Sequence, residues 1–241
     1  MLTDIHHHVV YGVDDGAPDF ETSCAMLKFA AAQGVTDIIC TSHALPGREA
    51  FNIDLYRNRL RREQAWCASE LPGLRLAEGC EILWDSSVPR LLAEGTLPTL
   101  NGTKYTLVEF YPSVSWDVLK RAALAIGVAG YRAVFAHVER YDCLRQIDHL
   151  RQLEEEYGVL AQMNASTVLE SKKRGFFANH WPDKVLNLEL IDVVASDAHS
   201  INHRSCRLAE AYLFLEKYFD KNMADLLCCD IPKCIWNGKP V

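Results

Sequence analysis

Seven short apolar runs alternate along this 241-residue chain with longer stretches of helical periodicity. The runs are TDIHHHVV, TDIICTSH, LRLAEGCEI, YTLVEFY, RAVFAHVER, VLAQMNAS and IDVVASDAH. Each is rich in β-branched or aromatic residues and reads as a strand. Between them, PDFETSCAMLKFAAAQG, DLYRNRLRREQAWCASEL, WDVLKRAALAIG, DCLRQIDHLRQLEEEYG and HRSCRLAEAYLFLEKYF read as helices, several of them stopped by a glycine. Strand–helix alternation over the whole length demands a parallel sheet covered by helices, an α/β fold. No Ser/Gly-rich linker divides the chain, so residues 1–241 are expected to form one domain. Periodicity leaves two architectures open, an open doubly wound sheet and a closed α/β barrel. A barrel gathers chemistry from many strand ends on one rim, whereas an open sheet gathers it at a switch point.

The ends of these runs carry the chemistry. The first supplies His6 and His8, followed by Asp14 and Asp15; the second supplies His43, the third Glu81 and the fourth Glu109. The fifth supplies His137, Glu139 and Arg140, and the last Asp197 and His199. Residues two apart on a strand face the same side, so His6 and His8 are expected to face one cation while His7 points away. The same spacing is expected to pair Asp197 with His199. A lone strand histidine is more often a hydrogen-bonded core residue, and one HxH among nine histidines is a weak signal. A carboxylate inside a buried strand is costly unless paired or coordinating. Six strand ends bearing such groups therefore point to a shared metal site. His149, His180 and His203 fall in helix or loop contexts and read as surface residues.

The donor set lacks a cysteine in register. Imidazole with carboxylate suits Mn²⁺, Fe or Zn²⁺ rather than a thiolate-bound ion. There are enough donors for two or three cations, with Glu81 as a bridge. Arg140 and Arg204 are placed to hold phosphoryl oxygens. The nine cysteines, among them Cys40 and Cys80 in apolar runs, read as free buried thiols suited to a reducing cytoplasm. A net charge of -7 disfavours a nucleic-acid partner. No run suggests a signal peptide or membrane span.

The ordered set DIHHH, DDGA, TSH, GCEI, LVEF, AHVERY and SDAH resembles the PHP (polymerase and histidinol phosphatase) superfamily. Within it, the chain is similar to the manganese-dependent tyrosine-protein phosphatases of bacterial capsule and exopolysaccharide operons, from residue 4 to about residue 204. The resemblance implies a distorted seven-stranded (β/α) barrel with a metal centre of two or three ions. It implies one ion on His6, His8, Glu81 and Asp197, a second on Glu81, Glu109 and His137, and a third on Asp15, His43 and His199. Asp15 is preferred to Asp14 because the family ligand directly precedes the glycine. The implied reaction is hydrolysis of phosphotyrosine on an autophosphorylating tyrosine kinase, with a metal-activated hydroxide as nucleophile and Arg140 and Arg204 steadying the phosphate. Val138 stands where the family commonly has Pro. The rival expectations are a histidinol-phosphatase-like enzyme of the same fold and a non-catalytic metal-binding module.

Overall fold

The structure, a computed structural model, describes residues 1–172 and 180–241. Seven strands lie in sequential order: β1 (Leu2–His7), β2 (Val35–Ala44), β3 (Arg75–Leu83), β4 (Tyr105–Glu109), β5 (Arg132–Phe135), β6 (Leu160–Asn164) and β7 (Val193–Ala195). Every neighbouring pair is parallel. β1 and the residues after β7 meet through two backbone bonds, Asp197 N–H to His6 O and His8 N–H to Ala198 O, each 2.9 Å. The sheet is therefore a nearly closed barrel, the one of the two architectures left open by the alternation that the resemblance implies.

Each strand sends an apolar side chain into the barrel lumen: Ile5, Ile39, Ala77, Leu107, Val134, Leu160 and Val193 pack as one cluster. Their neighbours in sequence, such as Ile38, Val108, Phe135 and Val194, join the larger layer between strands and helices. This two-sided burial explains why the strands read as continuous apolar runs rather than as alternating ones.

The helices are α1 (Phe20–Ala32), α2 (Ile53–Glu70), α3 (Val88–Ala93), α4 (Trp116–Val128), α5 (Ile147–Tyr157), α6 (Ala165–Glu170), α7 (Trp181–Asn187), α8 (Leu208–Tyr218), α9 (Lys221–Asp225) and α10 (Ile231–Asn237). Asp19 caps α1 by accepting from Thr22 N at 2.8 Å. Gly158 ends α5 with φ of 63°, a left-handed turn that other residues adopt at a cost. Four expectations need correction. α4 runs through Gly127 to Val128 rather than stopping at the glycine. The stretch from Asp142 splits into a tight turn, Asp142–Arg145, and then α5. The helix expected from His203 begins only at Leu208. β5 and β7 stop before their functional residues, because His137 (φ 33°) and Asp197 (φ 53°) are left-handed and break the extended path.

One buried carboxyl holds the rim helices. Glu63 of α2 is fully buried and accepts from Ser23 Oγ of α1 at 2.6 Å and from Tyr11 N at 3.2 Å, while its Oε2 has no partner. Burial pushes its carboxyl up to about 8, against the lowering effect of those bonds and of Arg59. The folded carboxyl thus binds its proton more tightly than the unfolded one. Its contribution to stability is complete below about 4.5 and is lost as pH rises through about 8. Urea titrations between pH 5.5 and 8.5 are expected to show stability falling by on the order of 2–4 kcal/mol from this group. Glu63→Gln should remove that slope, and an unchanged slope in the variant would refute the assignment.

Candidate metal centre

The expected donors meet at the C-terminal rim of the barrel, where this fold places its chemistry. β1 delivers His6 and His8 with their Nε2 atoms 3.1 Å apart. The third strand delivers Glu81 from below. Its Oε2 lies 3.2 Å from His6 Nε2, 3.2 Å from His8 Nε2 and 3.2 Å from His43 Nδ1. Its Oε1 lies 2.7 Å from His137 Nε2. Glu109 Oε1 is 3.2 Å from His43 Nδ1, and its Oε2 is 3.7 Å from His137 Nε2. Asp197 Oδ1 is 3.4 Å from His6 Nε2, and Asp15 Oδ1 is 3.4 Å from both His43 Nε2 and His199 Nε2.

Three donor groups emerge, each with ligand atoms within 4.8 Å of one another: His6, His8, Glu81, Asp197; His43, Glu81, Glu109; and His8, Asp15, His43, His199. His137 joins the second through Glu81. His43 lies between the second and third, so it faces two groups where the resemblance implies one. The i, i+2 strand argument does not account for Asp197 and His199, which lie beyond β7. There the left-handed Asp197 turns the chain, and His199 Nδ1 meets the Asp197 carbonyl at 3.0 Å. Both left-handed site residues, His137 and Asp197, occupy backbone that such residues rarely adopt, a strain that clusters at functional sites.

The arrangement fits divalent cations. His43 Nδ1, Glu81 Oε2 and His199 Nε2 are buried and have no hydrogen-bond partner among the described residues. Glu81 Oε2 has three imidazole nitrogens at contact distance and is aligned with none of them. Lone pairs that converge without sharing a proton suit ligands of a common ion, and imidazole with carboxylate suits Mn²⁺, Fe or Zn²⁺.

A second ring of contacts fixes the ring nitrogens that face the centre. His6 Nδ1–H donates to Gln162 Oε1 at 3.0 Å, and His8 Nδ1–H donates to Asp14 Oδ2 at 2.9 Å. Both leave Nε2 for the ion. Gln162 Oε1 also accepts from His137 N, and its amide donates to Asn164 Oδ1. Asn164 in turn donates to Asp197 Oδ2 at 2.8 Å. Gln162, Asn164 and the orienting role of Asp14 escaped the sequence reading. Gln162 and Asn164 were visible only as polar residues in the apolar run VLAQMNAS. Burial disfavours the His8 imidazolium, but the Asp14 and Glu81 contacts outweigh it and lift the group to about 10. Glu81 is held well below the usual carboxylate range, its burial outweighed by His6, His137 and His8.

Arg140 Nη2 donates to Asp197 Oδ2 at 2.7 Å, and Arg204 Nη2 reaches both Asp197 oxygens at 3.0 Å. Their side chains are 41% and 42% exposed, which keeps them open to solvent beside the donors. The floor opens into a cavity of about 490 Å³ walled by Val13, Leu83, Phe110, Tyr111, Pro112 and Arg48. Arg48 lies over the Tyr111 ring at 5.4 Å. The loop after His43 contributes Leu45, Arg48 and Glu49 to the wall. His180 and His203 are exposed, but His149 is half-buried and stacks on Trp116 at 4.3 Å.

Gly16 explains the DDGA sequence. A Cβ there would lie 2.1 Å from the His8 carbonyl oxygen, a backbone atom that cannot yield. Its N–H donates to Asp14 Oδ1 at 3.0 Å, so the glycine sets the carboxylate that orients His8. Gly16→Ala is expected to lower catalytic efficiency by ~10–100-fold, the cost of losing an orienting partner. Steady-state kinetics with a circular-dichroism control would test it, and full activity in the folded variant would reject the role.

Comparison with known proteins places this geometry. Residues 2–237 match the family described as capsular polysaccharide synthesis, CpsB/CapC. The tyrosine-protein phosphatase CpsB of Streptococcus pneumoniae is 30% identical over 238 residues, covering 97% of this chain and 98% of that one. The tyrosine-protein phosphatase YwqE of Bacillus subtilis is 31% identical, covering 94% and 88%. A solved structure from the study of YwqE from B. subtilis and CpsB from S. pneumoniae, described as unique metal-dependent tyrosine phosphatases, superposes with a TM-score of 0.88 at 27% identity, over 100% of this chain and 96% of that one. A dihydropyrimidinase from Brevibacillus agri shares the fold alone, with a TM-score of 0.54 at 12% identity over 99% and 70% of the two chains.

Proposed function

This chain belongs to the capsular polysaccharide synthesis CpsB/CapC family, and on that footing we propose that it is a metal-dependent tyrosine-protein phosphatase acting as one catalytic unit. The observation that carries the reading is the convergence of three donor groups, two of them sharing Glu81, beside an open, partly aromatic cavity that Asp15, His43, Glu109 and His137 line. Its substrate is phosphotyrosine on an autophosphorylating kinase that controls capsule or exopolysaccharide export.

His6, His8, Glu81 and Asp197 would hold one ion, Glu81, Glu109 and His137 a second, and Asp15, His43 and His199 a third, most suitably Mn²⁺. Such ions supply Lewis acidity, which lowers the pKa of a water and draws charge from phosphoryl oxygens. The chain's own residues do the rest. Gln162 and Asp14 hold the His6 and His8 rings in the tautomer that turns Nε2 toward the centre. Asp197 anchors Arg140 and Arg204, whose remaining N–H groups are donors for the phosphate. Tyr111, Phe110 and Pro112 offer apolar walls to an aromatic ring. No helix among the described residues is long and apolar enough to cross a membrane.

The test is phosphate release by Mn²⁺-reconstituted protein from a phosphotyrosyl peptide and from histidinol phosphate, side by side. Chelator-sensitive turnover of the peptide is the expected result. Preference for histidinol phosphate would keep the metal centre and overturn the substrate.

A further inference from the structure

The barrel seam contains a second group of ligand atoms that the catalytic rim does not use. β1 carries a bulge: it advances from Asp4 to His7 while β2 advances only from Ile38 to Cys40. The extra residue changes which side chains face outward. Ile5 packs in the lumen and His6 and His8 face the metal centre, while Asp4 and His7 turn together to the other side of the strand. There they meet Cys206, which precedes α8.

All three residues are buried, at 0%, 0% and 2% exposure. One carboxylate oxygen of Asp4, one ring nitrogen of His7 and the Cys206 sulfur lie within 4.8 Å of one another. Asp4 Oδ1 is used, accepting from Ser196 N at 3.0 Å. Asp4 Oδ2 faces Cys206 Sγ at a long 3.9 Å. The decisive residue is His7. Both of its ring nitrogens are buried, and neither has a hydrogen-bond partner among the described residues. Buried polar groups are almost always satisfied, and an orphan imidazole aimed at a carboxylate and a thiol needs an explanation.

We propose that Asp4, His7 and Cys206 form a separate structural metal site, outside the barrel lumen, for a thiophilic divalent cation such as Zn²⁺. An oxygen, a nitrogen and a sulfur donor supply three of the four positions zinc takes, in a mix that Mn²⁺ does not prefer. Binding releases the Cys206 thiol proton to solvent, so one thiolate and one carboxylate balance the ion's two charges in an apolar layer. The site joins β1 to the chain after β7. That is the seam closed by the Asp197–His6 and His8–Ala198 backbone bonds, next to catalytic donors. The cation would staple the seam and hold His6 and His8 from behind.

Cobalt distinguishes this site from the catalytic one, whose donors include no sulfur. Protein expressed in cobalt-supplemented medium is expected to show a near-ultraviolet thiolate-to-cobalt charge-transfer band. Cys206→Ala should lose the band and one equivalent of bound cobalt, whereas Cys80→Ala should keep both. Cobalt-loaded wild-type protein without the band would overturn the proposal and leave a hydrogen-bonded Asp4–Cys206 pair. A band that survives Cys206→Ala would overturn it equally. If Cys206→Ala does not fold, the wild-type spectrum decides alone.

Discussion

Glu81→Gln is expected to lower kcat/KM for a phosphotyrosyl peptide by more than the ~100-fold that loss of an orienting partner costs. The reason is position. One carboxylate touches His6, His8, His43 and His137 at 3.2 Å or less. Glutamine keeps the shape but removes the charge and gives one oxygen in place of two. It therefore cannot be shared by two donor groups. The variant should also bind fewer metal equivalents, measured by elemental analysis of purified protein. Its fold should survive, because Glu81 lies among polar neighbours on the rim and replaces no apolar contact. Activity within ten-fold of wild type, with full metal content, would sink the shared-ligand reading of Glu81.

Removal of the metal is the second large effect, and it reaches stability as well as turnover. Asp14, Glu81 and Asp197 are almost fully withdrawn from water in the side chain, with Glu109 beside them. Without cations Glu81 and Glu109 meet only imidazoles among the described residues, and three buried donor atoms of the centre have no hydrogen-bond partner there. A ligand at 100 times its Kd stabilises the fold by about 2.7 kcal/mol. For a chain of this size that corresponds to a fall of ~5–10 °C in Tm on stripping. Chelator-treated protein should therefore melt earlier and release no phosphate, and Mn²⁺ should restore both. A Tm unmoved by chelation, in protein shown to be metal-free, would mean that the donors are satisfied without ions.

How far the site was legible depended on the local backbone. His6, His8, His43, Glu81 and Glu109 lie on or directly after regular strands, so their placement at one rim follows from strand position. His137 and Asp197 were found as ionisable residues at the ends of apolar runs, but the alternation used to pair Asp197 with His199 does not hold. They are reached by left-handed turns beyond β5 and β7, not by strand alternation. Gln162 and Asn164 were passed over because an amide in a strand looks like an ordinary polar substitution. Their role exists only through contacts with His6 and Asp197, distant in sequence.

Order along the chain determined the architecture. Alternating apolar and helical segments leave a parallel sheet as the way to bury both, and carboxylates in apolar strands require partners. Those facts are local and survive any detail of packing. What the sequence could not carry is whatever depends on two remote segments meeting. The closure of β1 against the residues after β7, the sharing of Glu81 among four histidines and the seating of Asp14 against His8 are of this kind. Asp14 turns inward to His8 while Asp15 faces His43 and His199, because Gly16 lets the loop press against the His8 carbonyl. The bulge in β1 is the clearest case. Plain alternation already sets His7 against His6 and His8, but the extra residue in the ladder decides which side each takes, sending His6 and His8 to the catalytic rim and His7 to the opposite face.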